Sequence, residues 1–95
     1  MIRILIKEPG KDPEVREVEH ELKTFQNIVG GWIETVPILK NIILVCNEEG
    51  LLLNLPVNII NNYKFCGTVF FVRTKYENFV SLTDDDIQKI TSQLF

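Results

Sequence analysis

Histidine occurs once in this chain, at position 20, and cysteine only twice, at positions 46 and 66. A Ser-His-Asp or Cys-His system therefore depends on His20 alone meeting a distant nucleophile, because base and nucleophile must lie within hydrogen-bond reach. Nothing in the spacing brings them together. Two isolated cysteines and one histidine also lack the paired ligand spacing of structural zinc. Both cysteines sit in apolar, strand-like surroundings, where a free thiol behaves as a small hydrophobe, so both are expected to be buried and unpaired. Neither GxxxxGK[ST] nor GxGxxG occurs, and with them the standard phosphate cradles are missing. No apolar run approaches the ~20 residues of a membrane-crossing helix. Basic charge is scarce as well: ten Lys and Arg stand against thirteen Asp and Glu, a formal net charge of −3. That sign excludes a general binder of nucleic-acid backbones while leaving room for a local basic pocket.

What remains is an ordinary globular composition, 45% hydrophobic and 24% charged over 95 residues, enough for a single domain spanning 1–95 whose core is expected to be a single layer of side chains. Met1 runs directly into strand-like sequence with no leader pattern, so a cytoplasmic setting is expected. Ile2–Lys7 alternates with period two and predicts a near-central strand. A Pro/Gly-rich turn at 8–13 leads to a polar edge strand at 14–18 that closes a hairpin. Leu22, Phe25, Ile28 and Val29 form one helical stripe, and Gly30-Gly31 ends that helix. A strand over 32–39 is disturbed at Pro37. Ile42–Cys46 predicts an inner strand, Asn47–Gly50 a turn, and Leu51–Leu55 a further strand. The asparagine-rich stretch 57–62 reads as a short helix, turn or loop. Gly67–Arg73 is again a buried strand, and 76–80 connects it to the end. Thr83 and the aspartates at 84–86 predict a capped helix through Leu94. The sum is β-β-α-β-β-β-β-α, an α+β fold with a mainly antiparallel sheet of five to six strands and two helices. Strand order is not readable.

The unusual backbone chemistry gathers at Gly30-Gly31, at Asn47–Gly50 and at Pro56–Asn58. Trp32 beside the glycine pair reads as core or as a stacking face at a pocket mouth. The same two readings apply to Tyr63, Phe65, Phe70, Phe71 and Tyr76. Phe70 and Phe71 must point to opposite faces of a sheet, so a helix, a partner or a ligand has to account for one of them. Glu48-Glu49 and the three aspartates have bland explanations, as solvated turn charges and as a helix start. Among cations on or beside strands, Arg3, Lys7, Lys40, Lys64 and Arg73 offer one or two phosphate partners. The candidate ligand site is Gly30, Gly31 and Trp32 as backbone and stacking elements, Asn47 and Asn58 as polar readers, and Arg3 and Lys7 as phosphate contacts. No cofactor or metal is expected.

The order Glu8-Pro9-Gly10, Pro13-Glu14, Gly30-Gly31-Trp32-Ile33-Glu34-Thr35-Val36, Cys46-Asn47-Glu48-Glu49-Gly50, Leu55-Pro56-Val57-Asn58, Gly67-Thr68 and Ser81-Leu82-Thr83 resembles a family known from bacteriophages and other mobile elements of Gram-positive bacteria. That family is a domain of unknown function. The likeness spans nearly the whole chain. Trp32 departs from a more common tyrosine, and Asn58-Ile59 lacks the basic residue that often follows the asparagine. The resemblance implies phage origin, a host-cell cytoplasmic setting and no established enzymatic activity. It carries the expectation of an anti-defence protein that binds and sequesters a small nucleotide immune signal. The alternative is a protein-protein inhibitor of a host defence protein, using a sheet edge or an aromatic patch. A small hydrolase, third, requires His20 or the acidic residues to converge. A chain this small has little room for a deep pocket, so a site built across a symmetric homo-oligomer is a further expectation.

Overall fold

Period-two alternation in an apolar strand gives each residue one of two faces, and most of this chain follows from that rule. The computed structural model describes residues 1–95. Its elements run β1 (Ile2–Lys7), β2 (Glu14–Val18), α1 (Leu22–Val29), β3 (Ile33–Leu39), β4 (Ile42–Asn47), β5 (Val57–Ile60), β6 (Tyr63–Cys66), β7 (Val69–Lys75), β8 (Asn78–Val80) and α2 (Asp84–Leu94). Six strands form one antiparallel sheet in the order β2-β1-β7-β4-β3, and β8 pairs with the end of β7. β5 and β6 make a separate two-stranded sheet.

β7 lies at the centre because Val69, Phe70, Phe71 and Val72 are all buried, and only an inner strand covered on both faces buries consecutive side chains. On one face Phe70 and Val72 pack with Ile2, Ile4, Ile6 and Val45 beneath Phe25 and Val29 of α1. On the other, Phe71 and Val69 pack with Leu5, Leu44 and Cys46 beneath Ile90 and Leu94 of α2 and Ile60 of β5. The core is thus two layers rather than one. Both phenylalanines are covered by the chain itself.

The helix ends obey their sequences. Gly30 takes φ +82° and, like Gly31, donates its N–H to the Gln26 carbonyl, closing α1 in a left-handed turn. The Thr83 hydroxyl accepts from the Asp86 N–H at 3.0 Å while the Asp86 carboxylate accepts from the Thr83 N–H at 2.9 Å, a complete capping box for α2. Pro37 does not break β3. That strand is an edge, where a missing donor costs nothing, and the register shifts between Pro37 and Leu39 instead.

Two expectations fail between Asn47 and Cys66. Leu51–Leu55 is not a strand but a run of turns, in which Leu53, Asn54 and Leu55 donate to the carbonyls of Glu49, Leu51 and Gly50. Local turn bonds, with Asn54 at φ +57°, defeat the apolar composition. Asn47–Gly50 accordingly opens an excursion rather than a tight hairpin. The stretch 57–62 supplies β5 and a two-residue turn, Asn61-Asn62, with Asn61 at φ +54° returning the chain into β6. The connection at 76–80 likewise contains a strand, β8, turned by Tyr76-Glu77.

Candidate functional site

Gly30, Gly31 and Trp32 do line a common depression. With Gln26 and Asn27 of α1 they bound an open shelf of about 400 Å³. Trp32 is 64% exposed, so it lies on the surface and not in the core. The shelf has no charged side chain, and both glycine N–H groups are spent on Gln26. It therefore suits a flat, neutral ring better than a phosphate.

The remaining candidates go elsewhere, each engaged within the fold. Asn47 is buried under the glycine pair, where Nδ2 donates to the Val29 carbonyl at 3.1 Å and Oδ1 accepts from the Glu49 N–H at 2.7 Å. Its side chain fastens the end of α1 to the end of β4. Asn58 is wholly buried. Its Nδ2 donates to the carbonyls of Lys7 at 2.8 Å and Gly67 at 2.9 Å, while Oδ1 accepts from Lys7 Nζ at 3.2 Å. Lys7, itself buried, also donates to the Glu8 carbonyl. Arg3 reaches Asp84 at 2.9 Å and the Leu82 carbonyl at 3.1 Å, tying β1 to the start of α2. Asn58, Lys7 and Arg3 thus lie apart from the shelf, and the two asparagines face the interior rather than a ligand. Turn-rich sequence marked these asparagines as unusual, but the same signal attends a side chain that staples backbone.

A charged groove forms at the opposite end of the β3–β4 hairpin. The Lys40-Asn41 turn is held against β7 because the Thr74 N–H donates to the Asn41 carbonyl at 2.9 Å. Two adjoining clefts result, of about 400 and 450 Å³, which share Asn41 and Arg73. Lys40, Arg73, Lys75 and Lys89 line them together with Asp85 and Asp86, four basic and two acidic groups for a local +2 on a chain of −3. Arg73 Nη1 donates to Asp86 at 2.8 Å and Lys89 pairs with Asp85 at 3.1 Å, which leaves Lys40 and Lys75 without carboxylate partners. Tyr76 borders the groove, 87% exposed, with Lys75 Nζ 5.9 Å from its ring centroid. Both Tyr76 and Glu77 hold positive φ, at +51° and +66°. A bulky side chain pays steric strain in that region, where Asn and Gly do not. Lys40 and Arg73 were visible in sequence as strand-side cations. Lys75, Lys89 and the tyrosine join them only through the fold, since the turn at 76–77 and the helix phase at 89 decide the grouping.

Burial opposes ionisation of Asp86, but hydrogen bonds from Thr83 and from the Arg73 guanidinium outweigh it and hold the carboxyl below the ordinary value of 3.8. A depressed carboxylate contributes stability above its unfolded-state pKa and loses it as pH falls through the folded one. Asp86→Asn should therefore be less stable than the parent by about 1–2 kcal/mol at neutral pH, a figure reduced by the partial exposure of Arg73. Urea midpoints for the two proteins should converge as pH drops below the carboxylate range. A gap independent of pH would contradict the ion pair.

The thiols are free, Cys46 buried and Cys66 partly so. Burial, and then the charge of Glu34, pushes Cys46 up to about 11, which keeps it protonated and unreactive at neutral pH. Both line a cleft of about 360 Å³ beside Glu34, Glu48 and Lys64. His20 is exposed and packs on Phe25, over the α1 layer, whereas Cys46 belongs to the α2 layer. Histidine and that thiol are on opposite faces of the sheet. No group of three or more His, Cys, Asp and Glu side chains is arranged to hold a metal ion, and no helix is long and apolar enough to cross a membrane.

Fold and clefts together define a small α+β protein with an uncharged aromatic shelf at one end and a cationic groove at the other. Residues 2–94 match the model of a domain of unknown function (DUF3846), and the chain belongs to that family. The comparisons with curated proteins and with solved structures found no match.

Proposed function

We propose that this protein is a non-enzymatic binding protein that sequesters a small, phosphate-bearing nucleotide ligand in the groove between the Lys40-Asn41 turn, β7 and α2. One observation carries the reading: Lys40 and Lys75, cations without carboxylate partners, flank Arg73 beside an exposed tyrosine ring held in a strained turn. Phosphate oxygens would take Lys40, Lys75 and the free edge of the Arg73 guanidinium, and a base would stack on Tyr76. Strain of this kind persists where the surroundings or the function require it. Retention without turnover accords with the anti-defence role that the phage-family resemblance implies.

Isothermal titration against cyclic dinucleotides, cyclic ADP-ribose isomers and plain nucleotides tests the proposal. At least one should bind, with affinity that falls as salt rises. Lys40→Ala and Lys75→Ala should each weaken binding at least tenfold without moving the melting point. Replacing Tyr76-Glu77 by Asn-Gly should separate stability from function. Removing the steric cost, about 1 kcal/mol or more, should raise the midpoint by ~4–8 °C while weakening the ligand. No heat across the whole panel would sink the reading.

A further inference from the structure

The cleft that holds both thiols is the one recess in the molecule that combines an apolar lining with charges of both signs. About 360 Å³ in volume, it opens where the start of β3, the end of β4, the leucine turn (Leu51–Leu55) and β6 converge. Buried Cys46 and the partly buried Phe65 carry it down to the α2-side core, while Leu51 and Val57 line it with side chains that stand mostly in water. Lys64, Phe65 and Cys66 are consecutive, and alternate side chains of a strand face opposite ways, so β6 meets the cleft along its backbone edge. The two-residue turn makes Ile60 and Tyr63 a hydrogen-bonded pair, which directs the N–H and C=O of Lys64 away from β5. No other hydrogen bond in the chain uses them.

Three charged side chains line the cleft, Glu34, Glu48 and Lys64, and none has an ion-pair partner. Glu34 lies directly across from Cys46 in the β3–β4 register, on the same face of the sheet. Its charge is close enough to oppose ionisation of that thiol. The local sum of −1 disfavours a phosphate, and the carboxylates and thiols are not arranged as a set of metal ligands. The positive group that suits this cleft is therefore an organic ammonium, and Lys64 calls for a negative group beside it.

We propose that this cleft binds a single α-amino acid with an apolar side chain, as the zwitterion. The ligand's ammonium lies between Glu34 and Glu48, and its carboxylate takes the Lys64 ammonium together with the free Lys64 N–H. Its side chain covers Cys46, Leu51, Val57 and Phe65, so the apolar groups that the chain leaves in water are removed from it. The volume stands near the small end of the roughly 300–1,000 Å³ of ligand pockets, which suits one residue better than a peptide. The cleft and the Tyr76 groove lie at opposite ends of β4, so a ligand in one leaves the other open.

Amide chemical-shift titration of the full chain with leucine, valine and phenylalanine tests the proposal, alongside leucinamide, which keeps only the ammonium, and N-acetyl-leucine, which keeps only the carboxylate. At least one of the amino acids should give saturable shifts at Glu34, Cys46–Leu51 and Lys64–Cys66, and leucine should bind roughly tenfold more tightly than either analogue. Glu34→Gln should weaken leucine and leucinamide alike and leave N-acetyl-leucine no weaker, whereas Lys64→Gln should weaken leucine and spare leucinamide. Both side chains are exposed, so each variant should keep the parental melting point. If either variant is misfolded, the comparison of leucine with its two analogues on the parent protein decides alone. No saturable shift with any of the three amino acids overturns the proposal, as does an analogue that binds as tightly as leucine or a Lys64→Gln variant that weakens leucinamide as much as leucine.

Discussion

Asn58→Ala should cost about 3–5 kcal/mol, because it orphans the Lys7 and Gly67 carbonyls and removes an acceptor from the Lys7 ammonium, all in a site closed to water. Domains of this size have only 5–15 kcal/mol in hand. A midpoint fall of roughly 20 °C follows from the usual conversion for small domains. The side chain is the main polar tie between the β5–β6 ribbon and the sheet, so its loss should release the ribbon first. Asn58→Asp should fall between the two, since it keeps an acceptor for Lys7 and loses both donations. Calorimetry of the three proteins checks the order. A shift of a few degrees for the alanine variant would mean that the ribbon is held by Ile60 and its apolar neighbours instead.

Gly50→Ala should be comparably severe for a different reason. A Cβ there would lie 2.5 Å from the Cys66 carbonyl oxygen and 3.1 Å from the Cys66 Cβ, and the first of these is backbone that cannot swing aside. Overpacking against fixed backbone costs roughly 3 kcal/mol at the upper end of the usual range. Gly10→Ala is the control. No heavy atom lies within 4 Å of its added Cβ, so only the positive φ of +73° is penalised, at about 1 kcal/mol. Urea midpoints should therefore separate the two alanine variants clearly. Equal midpoints would contradict the close approach of the leucine turn to β6.

These two residues also mark the boundary of what the sequence conveys. Regular elements were legible because period and caps agree: the alternation of Ile2–Lys7, the stripe ending at Gly30, and the box formed by Thr83 and Asp86 all appear as read. Leu51–Leu55 misled because its composition is that of a strand while its hydrogen bonds are those of turns, and composition carries no record of which carbonyl lies within reach. Asn58 misled in another way. A buried amide that staples backbone and an exposed one that reads a ligand are the same residue in the same turn-rich setting, and only burial separates them. Of the shelf's lining, Gly30, Gly31 and Trp32 were legible together since they are adjacent in the chain, whereas Gln26 and Asn27 join them only through the last turn of α1. The groove was not legible as a site, because Lys40, Arg73, Tyr76 and Lys89 are far apart in sequence and meet through the β3–β4 turn and the phase of α2.

The strained tyrosine turn gives the functional account its sharpest consequence. Tyr76 and Glu77 forgo stability that Asn-Gly would supply, and the proposed stacking role of the exposed ring accounts for that loss. The uncharged shelf at Trp32 offers the competing location, roughly 25 Å away along the seven-residue β3 at ~3.3 Å per residue.

Amide chemical-shift mapping with the tightest-binding nucleotide of the panel decides between them. The account predicts saturable shifts confined to Lys40-Asn41, Arg73–Tyr76 and the first two turns of α2, with Gln26–Trp32 unmoved. Shifts centred on Gln26–Trp32, with the groove unmoved, would contradict it.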